Sequence, residues 1–282
     1  GAVRYEPPRI AAESAAEPDL LVVDEAAALS VRLLDETLAA DRVAYASTVH
    51  GYEGAGRGFS VRFREHLDES DHAVRECRLA EPIRYAAGDP VEVWSFDALG
   101  LDARPPVPEV VADATPDSAN YERIDGDDLL DDPTLLRETF GLLVLAHYRT
   151  EPDDLARLLD APNLTVRALT HEGHVVSVAL LAREGDLDAG TAAGMYEGDR
   201  IRGNMIPDVL VSQVRDESAA GPVGYRVVRI ATHHAVRSSG LGSRLLDDVR
   251  GEFAEAVDWL GVGYGAAPRP DRGGPRDDYR EG

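Results

Sequence analysis

The chain alternates short apolar runs with polar turns in its first hundred residues, then shifts to longer amphipathic segments. Leu20 to Val23 in "DLLVVDEAAA" is an unbroken apolar run of strand length, of the kind a parallel sheet buries on both faces. Val31, Leu33, Leu34 and Leu38 follow at helical spacing, and "RVAYAST" (42–48) returns to strand character. Residues 19–60 therefore read as a βαβ unit, with the Gly-rich "HGYEGAGRGF" (50–59) at the strand end where α/β sheets place ligands. Further on, "TLLRETFGLLVLAHYR" and "EPDDLARLLDAP" have helical periodicity, the latter with Pro152 and acids at its start. "LTVRALTHEGHVVSVALLARE" (164–184) reads as a hairpin, and "GNMIPDVLVSQVRD" (203–216) as a helical stretch. Leu241, Leu245, Leu246, Val249 and Phe253 line one face of a predicted helix, and "DWLGVGYG" (258–265) is a last strand.

Charge changes this picture. The chain holds 52 acidic against 29 basic residues, a net −23, and every basic residue is Arg. Acid spread along a Lys-free chain predicts a protein adapted to high salt, where carboxylates stay hydrated and their repulsion is screened. Cys77 stands alone, which excludes a disulfide framework and a Cys-based zinc site. No apolar run reaches transmembrane length and no signal-peptide pattern opens the chain, so the expectation is a cytoplasmic protein without a membrane partner.

Candidate chemistry gathers in "RIATHHAVRSSGLGSRLLDDV" (229–249), where a β-branched run meets Arg237-x-x-Gly240-x-Gly242 and then a helix. Such a loop offers backbone N–H groups to a phosphate at a helix N-terminus. A P-loop would need a Lys, which the chain lacks, and a dinucleotide fingerprint would order its glycines differently. The strand–loop–helix setting resembles the acetyl-CoA loop of GNAT acyltransferases. Asp24-Glu25, closing the first apolar strand, fits a Walker B arrangement in which Asp24 holds Mg²⁺ and Glu25 activates water.

The order of "VVDEAAA", "STVHGYEGAGRGF", "EPIRYAAGDPVEVWSFDALGLDA", "GLLVLAHYRTEPDDLARLLDAPN", "RGNMIP" and "RIATHHAVRSSGLGSRLL" resembles the tRNA(Met) cytidine acetyltransferase family over about residues 18 to 265. That resemblance implies an α/β fold: part of a RecA-like P-loop NTPase (helicase) module followed by a GNAT acyltransferase domain. It implies formation of N4-acetylcytidine in tRNA, and also in rRNA, from acetyl-CoA, with hydrolysis of ATP bound with Mg²⁺. By the same resemblance Ile230, Ala231 and Thr232 pair with the pantetheine arm, and Arg237, Ser238, Ser239, Gly240, Leu241, Gly242 and Ser243 cradle the pyrophosphate. Arg57 and Asp24 contact ATP and Mg²⁺, Glu25 is catalytic there, and His147 is the proton acceptor or cytosine contact at acetyl transfer. Two alternatives stay open: an ATP-driven RNA remodeller with a vestigial GNAT half, and a GNAT enzyme acetylating protein or small-molecule amines.

The expected organisation is an ATPase part at 1–101, an acidic Pro-rich linker at 102–132, a GNAT domain at 133–265 and a tail at 266–282. The tail lacks hydrophobic periodicity, and with no Walker A loop the chain reads as an internal piece of a longer protein. His171 and His174 are expected to be exposed and a poor metal site. Arg62, Arg64, Arg200 and Arg202 are expected to form positive islands for RNA.

Overall fold

The computed structural model describes residues 2–47, 63–79, 83, 85–145 and 152–263. Its first part holds α1 (Pro8–Glu13), β1 (Leu21–Val23), α2 (Val31–Thr37), β2 (Val43–Tyr45), α3 (Arg64–Glu69) and α4 (Pro90–Leu99). β1 and β2 pair in parallel, Leu21 opposite Val43 and Val23 opposite Tyr45, so the predicted βαβ unit forms. The side chain of Ser30 caps α2, accepting from the Leu33 N–H. Ala26, Leu34 and Phe63 make a small core, with Phe63 edge-on to Tyr45 at 5.0 Å. The expected burial of β1 on both faces does not hold: Leu20 is 53% and Val22 61% exposed. Alternation along the strand turns Val22 away from α2, toward a side that no described element covers.

The second part holds β3 (Asn120–Ile124), α5 (Gly126–Asp131), α6 (Pro133–Leu145), α7 (Pro152–Asp160), β4 (Leu164–His171) and β5 (His174–Glu184). It continues with α8 (Ala189–Glu197), α9 (Met205–Val209), β6 (Gly224–Thr232), α10 (Leu241–Phe253) and β7 (Trp259–Val262). The strands form one sheet in the order β3-β4-β5-β6-β7, antiparallel except for the parallel pair β6 and β7. The β4–β5 hairpin turns at Glu172 and Gly173, both with positive φ, as a tight two-residue turn requires. Helices α5, α6 and α7 cover one face, packing Leu129, Phe140, Leu143 and Leu155 on Val166, Val178 and Leu180. On the other face Leu241, Leu245, Val249 and Phe253 of α10 pack on Leu169, Val176, Ala179 and Leu181. β5 is thus buried on both sides, and each of its large apolar side chains contributes about 1.5–3 kcal/mol of transfer free energy.

Residues 102–132 are not the solvated linker their composition suggests. β3 lies within them and pairs with β4 from Asn120↔Thr170 to Ile124↔Val166. α5 lies there too, entered through a capping box in which Asp125 and Asp128 each bond the other's backbone N–H. Ala103, Val111, Ala114 and Ala119 are buried in the two sheet cores. Polar composition is compatible with this because β3 is an edge strand among the described residues: Tyr121 packs its ring on the α10-side core, and its phenol and the guanidinium of Arg123 both meet Glu252.

Between β5 and β6 an arm of short helices closes around Met195, Val211, Ala192 and Ala220. α8, in this arm, was not anticipated by periodicity. The expected helix at 203–216 is α9 followed by a wider π turn over Leu210–Val214. No described helix is long and apolar enough to cross a membrane.

Candidate functional site

β6 pairs with β7 only from Gly224↔Trp259 to Val227↔Val262. Beyond that point Arg229 to Thr232 stay bonded to β5, while their other edge has no strand partner among the described residues. The shift from Leu180↔Arg229 to Leu181↔Val227 leaves Val228 as an extra residue, a bulge at the place where the two strands part. Among the described residues the sheet therefore has an unpaired edge beside Ile230, Ala231 and Thr232. On the helical side of this edge Arg229 is held by Asp154 at 2.8 Å, and both line a cavity of about 40 Å³ with Phe140, Leu143 and Val228.

Beyond Thr232 the chain turns into α10 through a loop with unusual backbone. Ser238 has φ 61° and Gly240 φ 92°, while Arg237 between Val236 and Ser238 is extended. Among the described residues no side chain caps α10, so its first N–H groups have no side-chain acceptor. A Cβ on Gly242 would stand 3.2 Å from the Thr232 hydroxyl, so this glycine lets helix and strand end close on each other. Arg237, Ser238 and Ser239 are exposed, Leu241 is buried in the core, and Ser243 is exposed on the first turn. Among the described residues Arg237 makes no ion pair, leaving its charge beside the uncapped helix end. A positive-φ loop, uncapped N–H groups and a free guanidinium make an anion cradle.

The cradle is buttressed from outside its own segment. His233 is fully buried: its Nε2–H donates to the Pro106 carbonyl at 2.9 Å and its Nδ1 accepts from the Ala235 N–H at 3.2 Å. Burial, helped by the charges of His234 and Arg237, holds this imidazole below its ordinary pKa, with the Pro106 carbonyl opposing. Arg244 donates to the Pro116 carbonyl at 2.6 Å and to Asp248 at 2.7 Å. At the far end of α10, Glu252 takes two hydrogen bonds of 2.8 Å from the largely buried Arg167 and one of 2.6 Å from Tyr121. Those bonds to Arg167 hold the Glu252 carboxyl below the usual range. Burial, then the contact with Glu252, pushes the Tyr121 phenol upward.

Asp24 and Glu25 stand exposed at the carboxyl end of β1. Glu25 sits at φ 49°, with its N–H donating to Asp24 Oδ1 at 3.1 Å. Ser47, at the corresponding end of β2, accepts from the Ala27 N–H at 3.3 Å, so both strand ends meet at this acidic turn. Arg57 and His147 lie outside the described residues.

Two family models match the chain. RNA cytidine acetyltransferase NAT10/TcmA, helicase domain, covers residues 1–102, and GNAT acetyltransferase 2 covers residues 138–255. A tRNA(Met) cytidine acetyltransferase TmcA of Haloferax volcanii is 70% identical over 95% of this chain. The proteins of that name from Haloarcula marismortui and Thermococcus kodakarensis are 66% and 41% identical over 95% and 94% of it. The chain belongs to the tRNA(Met) cytidine acetyltransferase family. It spans 36% of the Haloferax volcanii relative, 35% of the Haloarcula marismortui one and 33% of the Thermococcus kodakarensis one. The two haloarchaeal relatives agree with the high-salt reading of its charge.

The chain places Ile230 to Ser243 on one continuous strand–loop–helix segment and Asp24 and Glu25 on a separate strand pair. Other expectations change. His171 and His174 are half-buried, not exposed: His171 meets the Ser118 hydroxyl at 3.1 Å, and His174 donates to the buried Glu138 at 2.8 Å. Arg64 and Arg200 are not free positive islands, because Glu76 and Asp208 pair with them; Arg62 lies outside the described residues. The contacts of Pro106 and Pro116 with the cradle were missed. Their only sequence signal is the spacing of prolines in "DARPPVPEVVADATPD", which reads equally well as a linker.

Proposed function

We propose that this chain carries the acetyl-CoA-binding part of an RNA cytidine acetyltransferase, which forms N4-acetylcytidine in tRNA, and also in rRNA, in the cytoplasm. The observation that carries the reading is the edge of β6 at Ile230–Thr232, unpaired among the described residues, leading through the positive-φ loop at Ser238 and Gly240 into a helix with no side-chain cap. Acetyl-CoA, when bound, supplies the acetyl group. Backbone groups of Ile230, Ala231 and Thr232 orient the pantetheine arm. Arg237 and the N–H groups from Ser238 to Ser243 hold the pyrophosphate, with Gly240 and Gly242 allowing backbone approach and Leu241 anchoring the turn in the core.

The N4 amine of cytosine is delocalised into its ring and a poor nucleophile, so its proton must be taken as the acyl bond forms. His147, outside the described residues, is the group proposed to accept that proton or to hold the base. The target base must be unstacked to reach such a site. Asp24, as the Mg²⁺ ligand, with Glu25 and Arg57 would serve ATP hydrolysis in the helicase module and so drive that remodelling.

Calorimetric titration of the chain with acetyl-CoA in molar KCl tests the reading. Saturable binding is expected, and Gly240→Glu is expected to abolish it by placing a carboxylate and a strained backbone where the pyrophosphate sits. Equal affinity in parent and variant would refute the loop assignment.

A further inference from the structure

α4 ends the stretch matched by the helicase model, and the chain then crosses to the acetyltransferase sheet through residues 100–119. This crossing is fastened at four places. Arg137 of α6 ties down its start, with Nη2 2.7 Å from Asp97 and Nε 3.5 Å from Asp102. Arg104 lies so close to α6 that a Cβ on Gly141 would stand 2.4–2.7 Å from its backbone N, Cα and C. The Pro106 carbonyl receives the buried proton of His233, one residue past Thr232. The Pro116 carbonyl receives Arg244, and its ring lies 3.4 Å from where a Gly240 Cβ would be.

The segment is stiff where it matters. Pro105 and Pro106 have fixed φ, and each residue before a proline is pushed to extended backbone, so Arg104 to Val107 has little freedom. A glycine in mid-helix costs about 1 kcal/mol relative to alanine, and at Gly141 the approach of Arg104 accounts for it. A rigid strap seated on α6 and bonded to both sides of the cradle cannot shift at α4 without shifting the cradle.

We infer that residues 100–119 are a positioning strap: seated on α6 at Gly141, they set the geometry of Ile230–Ser243 through His233, Gly240 and Arg244. His233 is on this account a positioning residue. The consequence for acetyl-CoA rests on the acetyltransferase reading above; the mechanical link does not.

The test uses the chain in molar KCl with two readouts, hydrogen exchange without ligand and acetyl-CoA titration. Gly141→Ala improves helix propensity but pushes the strap off α6. It is expected to speed exchange at residues 230–242 and to weaken acetyl-CoA binding about tenfold, the factor for one buried hydrogen bond left unmade. His233→Phe is expected to do the same, and His233→Gln, which keeps a donor for Pro106, to restore slow exchange and most of the affinity. Val91→Ala on the exposed side of α4 is the control and is expected to change neither. Unchanged exchange at 230–242 in folded Gly141→Ala and His233→Phe would overturn the strap. Faster exchange in a chain whose parent does not bind acetyl-CoA would uphold the strap and defeat the acetyltransferase reading.

Discussion

β1 and β5 carry the same sequence pattern and meet opposite fates. Leu20 to Val23 and Val175 to Ala182 are both near-continuous apolar runs. In β5 every apolar residue from Val175 to Ala182 is at most 8% exposed, because α6 lies on one side and α10 on the other. Among the described residues β1 is covered by α2, the turn after the strand, Phe63 and Leu67, and Val22 is left 61% exposed. An apolar run states what a strand can tolerate on its faces; the number of layers packed on it decides what is buried.

The comparison can be broken hardest at its buried end. Arg167→Ala should cost about 3–5 kcal/mol by leaving Glu252 without its bidentate partner under α10, measured by denaturant unfolding in molar KCl. Leu181→Ala in β5 should cost about 2–5 kcal/mol in the same assay, whereas Val22→Ala should stay within about 0.5 kcal/mol. Equal losses at positions 22 and 181 would show that β1 is covered in solution. At the N-terminal unit, Ser30→Ala should cost about 1 kcal/mol through its lost cap on α2.

Acid sharpens the contrast because two of the groups that titrate low in the second part, His233 and Glu252, lie at the cradle and on α10. His233 has a folded pKa below its ordinary value, so the unfolded chain binds more protons once pH falls through about 6.5. Its contribution is present above that pH and is lost below it. Glu252 is also depressed, and its contribution is lost at lower pH, as the unfolded carboxyl begins to protonate near 4.5 and until the folded one does. Stability should therefore decline in two stages on acidification, and His233→Gln should remove the first. A pH profile of unfolding free energy for parent and variant measures this.

Legibility followed the range of the interactions. The βαβ unit, the 164–184 hairpin, the α10 stripe and the glycine loop before it were all readable, because each is encoded by residues near one another in the chain. β3 was not, because "NYERI" has a single fully buried residue, Ile124, and earns its place in the sheet by pairing with β4 and through Tyr121 and Arg123 on Glu252. The half-buried His174 was misread for a related reason: its partner Glu138 is 36 residues away.

What the sequence determined by itself is the family, the βαβ unit, the 164–184 hairpin and the strand–loop–helix around Arg237 to Ser243, since these depend on residue type and local spacing. What only the tertiary structure decided is which apolar faces are covered, that a Pro- and Asp-rich stretch is packed and not solvated, and that Pro106 and Pro116 grip the cradle. Those outcomes join residues more than a hundred positions apart in the chain. Carbonyl groups of this kind exist at every residue, so composition cannot mark the ones that a buried His233 and an Arg244 will find.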